Sequence, residues 1–174
     1  NTVAKLITSL PTITDYPYSE YFQGPVEHWW TAGGSGNSWD LGVPTGTYFP
    51  SDSVGDIAWI TRLNNGGHYD NEYSWVESPT FDFTSLIQPL ITMRIIYDAE
   101  TTSDGANLQY SENDVDWYTI GVVGVFPNLE NWYTNTVDGL AGEAGWTGNS
   151  GSWITATQDL TMLSGKPAVK FRVV

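Results

Sequence analysis

The sequence contains no cysteine, which excludes disulfides, thiolate catalysis and cysteine-ligated zinc together. It is also poor in positive charge. Six Lys and Arg stand against 20 Asp and Glu, giving a formal net charge of −14. Nucleic acid and anionic membrane surfaces select basic patches, so neither is expected as a partner. No apolar run approaches the roughly 18 residues of a spanning helix, so membrane insertion is not expected. No signal peptide opens the chain, which suits a mature form or a fragment of a larger exported protein. Helix formers are sparse, and no long window carries a 3.6-residue period.

The common catalytic signatures are missing as well. There is no Gly-x-Ser-x-Gly elbow. Gly33-Gly34-Ser35-Gly36 lacks the Lys and helix that would make it a phosphate loop. Asp114 and Asp116 lack the Gly and closing Glu of an EF-hand. The two histidines, His28 and His68, read as ordinary surface or half-buried residues.

What is present points to an ordered all-β chain. Among 174 residues there are nine Trp and ten Tyr, and 40% of residues are hydrophobic. That suffices for one domain, 1–174, with a core of its own despite the charge. Eighteen Gly and nine Pro, with many Asn, Asp, Ser and Thr, punctuate short apolar stretches. This pattern predicts a β-sandwich or barrel.

Strands are read by alternation. Ile91, Met93, Ile95 and Tyr97 oppose Thr92, Arg94 and Ile96. Ala106, Leu108 and Tyr110 oppose Asn107 and Gln109. Val169, Phe171 and Val173 oppose Lys170 and Arg172. Residues 117–122, 58–61 and 80–83 are further strand candidates, and the polar stretch 111–116 reads as a hairpin tip. Residues 31–56 and 126–152 read as long Gly-rich loops, a feature that is usually functional. The chain ends at Val174 in mid-strand, which predicts an open edge and a missing closing strand.

Several segments in order resemble a known family. They are Tyr18-x-Glu20-x-Phe22-x-Gly24 followed by Trp29 or Trp30; Ser38-Trp39-Asp40-Leu41-Gly42-x-Pro44; Ala58-Trp59-Ile60-Thr61; and Glu77-Ser78-Pro79-x-Phe81-Asp82-Phe83. Then follow Glu100-x-x-x-Asp104-Gly105-Ala106-x-Leu108-Gln109-Tyr110-Ser111 with Trp117 and Gly121, Asn131-Trp132-Tyr133, Gly145-Trp146-Thr147-Gly148 and Phe171-Arg172; Trp59 and Trp117, on strands, read as packing residues. Together they are similar to the MAM-like, cleaved-adhesin-type jelly rolls of surface and secreted proteins of the Bacteroidetes. The resemblance implies a two-sheet antiparallel jelly roll, often calcium-bound, placed outside the cell or on its surface. It implies adhesion or a non-catalytic accessory role beside neighbouring domains of the same polypeptide. The family closes with a further acidic strand, which this sequence does not reach.

Three constellations could carry chemistry. The first is acidic. Asp98, Glu100 and Asp104 flank a turn, and carboxylates with backbone carbonyls are what Ca²⁺ takes. They are the expected metal ligands, with Glu20 as a fourth; Asp40, Asp52, Asp56 and Asp82 are alternatives, and a solvated acidic face is the plain reading. The second is a glycosidase pair, for which Glu100 with Glu77 is the least unsuitable choice; no spacing marks one. The third is aromatic. Loop Trp and Tyr side chains stack on sugar rings and anchor protein partners. Tyr48, Phe49, Trp75, Trp132, Tyr133 and Trp146 are the expected ligand-binding residues, while core packing is the competing reading for the aromatics within the shared motifs.

The expected function is therefore a non-catalytic extracellular adhesion or binding module, stabilised by calcium, for a carbohydrate or a cell-surface protein. The alternatives are a surface-fibre unit joined by strand exchange, motivated by the open edge, and a carbohydrate-active accessory or hydrolase domain.

Overall fold

A computed structural model describes residues 10–24, 30–46, 49–53, 56–63, 67–124 and 130–174. Tyr48, Trp29 and His28 lie outside the described residues. The chain is nearly all β, built as several mostly antiparallel sheets.

The largest sheet has five strands. In spatial order they are β2 (Thr31–Ser35), β5 (Tyr73–Glu77), β13 (Lys170–Val173), β8 (Leu108–Ser111) and β9 (Tyr118–Thr119). A second pair joins β7 (Leu90–Ile95) to β12 (Ile154–Asp159) over six matched residues. The remaining pairs are β3 (Trp39–Gly42) with β4 (Ala58–Thr61), and β10 (Asn135–Val137) with β11 (Glu143–Gly145). The parallel pair β1 (Thr12–Ile13) and β6 (Thr80–Phe81) completes the strands.

The alternation in the sequence explains the strands with one buried face. In β7, Ile91, Met93 and Ile95 are half-buried while Leu90, Thr92 and Arg94 are exposed. Inward residues of this pair share one hydrophobic cluster with Leu108 and Phe171 of the five-stranded sheet. Phe81, Phe83, Ile120, Ala156, Leu160 and Val169 fill the same cluster. The hairpin tip forms as expected: the Asn113 side-chain oxygen accepts from the Val115 and Asp116 amides, and Asp114 takes a left-handed conformation.

Two expectations are corrected. Lys170–Val173 is not an open edge. It is the central strand, paired with β5 on one side and β8 on the other, and Val174 exchanges backbone bonds with Asn107. The segments 31–56 and 126–152 are not wholly loops, since they hold β2, β3, β10 and β11. Strand β2 reads Thr-Ala-Gly-Gly-Ser and has no large side chain of its own. Its register opposite β5 places Gly33 against Trp75, and a Cβ there would sit 3.2 Å from the indole nitrogen. The indole thus covers the glycine strand, as cross-strand aromatics do at edge glycines.

Candidate functional site

Antiparallel register assigns every side chain of the large sheet to a face, because residues directly opposite point the same way. Arg172 lies opposite both Glu77 and Gln109, Gln109 opposite Thr119, Lys170 opposite Ser111, and Trp75 opposite Gly33. These residues, with Tyr73 and Asn107, therefore share one face. The other face carries Val76, Leu108 and Phe171 and turns into the core. One side of the sheet is apolar and packed; the other is aromatic, charged and amide-rich.

At the centre of the second face is a stack. The Arg172 guanidinium carbon lies 4.9 Å from the Trp75 ring centroid and 4.3 Å from that of Trp117. Its Nε donates to the Gln109 side-chain oxygen at 2.8 Å, and Gln109 is only 8% exposed. Burial holds the guanidinium below its ordinary value, with Tyr73 and Glu77 working the other way. Tyr73, 43% exposed, meets Trp75 edge-on. Val137, Leu140 and Val174 form a small buried cluster against Trp75 and close one end of the face.

The other end opens into a shallow cavity of about 210 Å³ lined by Thr80, Ser111, Glu112, Asn113, Asp114, Ala168 and Lys170. Lys170 Nζ sits 3.0 Å from Glu77 and 2.9 Å from Asp114. Burial disfavours its ammonium, but these two partners outweigh burial and raise its value. Lys166 pairs with Glu112 at 3.0 Å. The cavity is thus rich in hydroxyl, amide and ion-paired groups, with two lysines set against three carboxylates.

Of the expected ligand-binding aromatics among the described residues, Trp75 alone is on this face. Trp132, Tyr133 and Trp146 are corrected to core residues, at 4%, 0% and 3% exposure. Their rings meet mutually at centroid distances of 4.9–5.1 Å. Their polar atoms are used internally: Trp132 Nε1 donates to the Ile120 carbonyl, Trp146 Nε1 to that of Asn131, and the Tyr133 hydroxyl accepts from the Leu108 amide at 2.7 Å. Burial pushes the Tyr133 hydroxyl's pKa strongly upward. Phe49 is corrected likewise, being buried at 8% exposure.

The expected metal residues do not converge. Among the described residues, no three of His, Asp and Glu gather to hold an ion. Asp98 bridges to Asn149 by backbone pairing. The Asp104 carbonyl accepts from the Thr147 hydroxyl at 2.7 Å, the Glu100 carbonyl from the Ser103 and Asp104 amides, and the Thr102 and Ser103 carbonyls from the Asp138 and Gly139 amides. The Asp104 carboxylate faces His68 at 3.5 Å. Glu20 accepts from the Phe22 amide at 2.7 Å and from the Tyr18 hydroxyl. Asp98, Glu100, Asp104 and Glu20 thus make no preformed carboxylate cluster among the described residues. The suggested pair Glu100 and Glu77 fares no better, since Glu77 is ion-paired with Lys170.

Arg172, Trp117, Gln109 and Lys170 were not expected as site residues. The alternation of Lys170 and Arg172 with Val169, Phe171 and Val173 does place both cations on one face. Only the long-range register shows that Trp75 and Trp117 flank Arg172 there.

No protein-family model matches the chain, and no curated protein or solved structure matches it.

Proposed function

We propose that the chain is a non-catalytic carbohydrate-binding module of an exported or cell-surface protein. Its ligand lies along the polar face of the five-stranded sheet and reaches into the adjoining cavity. The observation that carries this reading is the face itself. A sheet side that bears Tyr73, Trp75, Trp117, Arg172, Gln109 and Lys170 instead of apolar residues has a use other than packing. Sugars match it, since ring faces stack on indoles and phenols while hydroxyls bond to amides, hydroxyls and ion-paired groups. Within the same proposal, the five-stranded sheet and the β7–β12 pair are the two layers of a jelly roll. Their shared hydrophobic cluster and the family-like motifs support that arrangement.

The reading is tested by passage over a panel of immobilised neutral and acidic polysaccharides. Retardation by at least one of them, abolished by Trp117→Ala, is the expected result. Wild-type protein that passes every polysaccharide unretarded would refute it.

A further inference from the structure

Among the described cations of this acidic chain, Arg94 is matched to Asp52, Lys166 to Glu112, and Lys170 to Glu77 and Asp114, while Arg62 lies over the Tyr69 ring on the surface. Arg172 is different. Among the described residues it makes no ion pair, although it stands directly opposite Glu77, whose carboxylate is turned to Lys170. Its guanidinium carbon lies within 5 Å of the ring centroids of both Trp75 and Trp117, and its Nε donates to Gln109. What remains is the planar edge with the Nη donors, which have no acceptor among the described residues. A guanidinium held in this way is a rigid two-pronged donor. Its geometry matches a carboxylate in bidentate contact. The stack fixes the orientation beforehand, so little side-chain freedom is lost on binding.

We infer that the ligand of this face carries a carboxylate and that the Arg172 fork receives it. The inference rests on the carbohydrate reading and names, within it, a sugar of the uronate class. The surroundings restrict the ligand further. Glu77, Glu112 and Asp114 lie around the cavity, and Lys170 is already held by two of them. With a net charge of −14, the chain repels a dense polyanion at long range. The occupant is therefore a largely neutral glycan with an isolated acidic residue.

The test uses wild-type protein with nitrogen-15-labelled side chains and three probes: methyl glucuronide, its methyl ester and methyl glucoside. The Arg172 Nε signal and the Trp117 indole signal are followed during titration. The expected result is that the acid binds at least tenfold more tightly than the ester or the glucoside, and that it alone shifts Arg172. Arg172→Lys, which keeps the charge and loses the fork, removes that preference. The ester comparison needs no variant and stands if Arg172→Lys fails to fold. Equal binding of all three probes at Trp117 would overturn the inference and leave the carbohydrate reading intact. Failure of all three probes to shift Trp117, together with no retardation on the polysaccharide panel, would overturn both. A capped peptide with a free C-terminal carboxylate that shifts Arg172 more than the glucuronide would overturn the sugar class, because the acid would then come from a protein.

Discussion

Tyr133→Phe removes one hydroxyl from the core, with its short bond from the Leu108 amide and its long one, 3.4 Å, to the Leu108 carbonyl. The Tyr133 side chain is fully buried, and its hydroxyl accepts from the Leu108 amide at 2.7 Å. Leu108 is itself 1% exposed, and its carbonyl is already engaged by the Ile120 amide. Phenylalanine keeps the ring and its contacts with Trp132 and Trp146, so the loss is confined to the hydroxyl. The Leu108 N–H then has neither protein nor water to bond. An unsatisfied buried donor costs about 1–3 kcal/mol. For a chain of this size that lowers the melting temperature by about 2–12 °C. Urea unfolding followed by tryptophan fluorescence should show the midpoint falling with an unchanged slope. A variant within about 0.5 kcal/mol of wild type, the range of inconsequential surface changes, would refute the claim that this residue is a core strut.

Three further outcomes follow from the same structure. Glu72 accepts from the Ser38 amide and hydroxyl, the Tyr69 amide and the Ser74 hydroxyl. Burial pushes its carboxyl up, but those bonds outweigh burial and hold it below its ordinary value of 4.5. Its stabilisation is complete above pH 4.5 and is lost as pH falls through the depressed value. Glu72→Gln should therefore cost about 1–3 kcal/mol at pH 7 in urea titrations, with the gap closing in acid; a gap constant with pH would contradict this. Gly34→Ala forces a left-handed residue and a Cβ against the Ser74 backbone, so it should lose about 1–3 kcal/mol by the same assay; a neutral outcome would show that β2 is not held as described. Because Asp98, Glu100, Asp104 and Glu20 do not gather into a carboxylate cluster among the described residues, millimolar Ca²⁺ against EDTA should leave the melting temperature unmoved. A site filled 100-fold above its Kd would instead add about 2.7 kcal/mol, which calorimetry would register.

Local pattern carried part of this fold into the sequence, and long-range pairing hid the rest. The period-2 run at Ile91–Ile95 and the Asn113 turn are set by neighbouring residues, so they were legible. Strand β2 was not, because Thr31–Ser35 has one β-branched residue, Thr31, and no aromatic, and relies on Trp75 from β5. The central place of β13 depends on partners some 60 and 95 positions away, which no local pattern records. Trp132, Tyr133 and Trp146 sit among glycines and so read as loop residues. Yet a Cβ at Gly145 would come within 2.8 Å of the Ala106 carbonyl, and one at Gly105 would press on that of Trp146. Those glycines serve close backbone approach around a buried aromatic triad, not an open loop. Of the proposed face, the sequence alone singles out Trp75. The remaining residues of the face look unremarkable one by one and acquire meaning from register.

The central claim is that the polar face of the five-stranded sheet, and not the loop aromatics, holds the ligand. The most direct measurement is calorimetric titration of the polysaccharide retained in the panel into Trp117→Ala and Tyr133→Phe, beside wild type and below their melting temperatures. The account predicts that Trp117→Ala loses about 1–3 kcal/mol of binding, the usual worth of a central aromatic anchor. It predicts that Tyr133→Phe, though less stable, binds as wild type does. Unchanged affinity in Trp117→Ala together with lost affinity in Tyr133→Phe would contradict it.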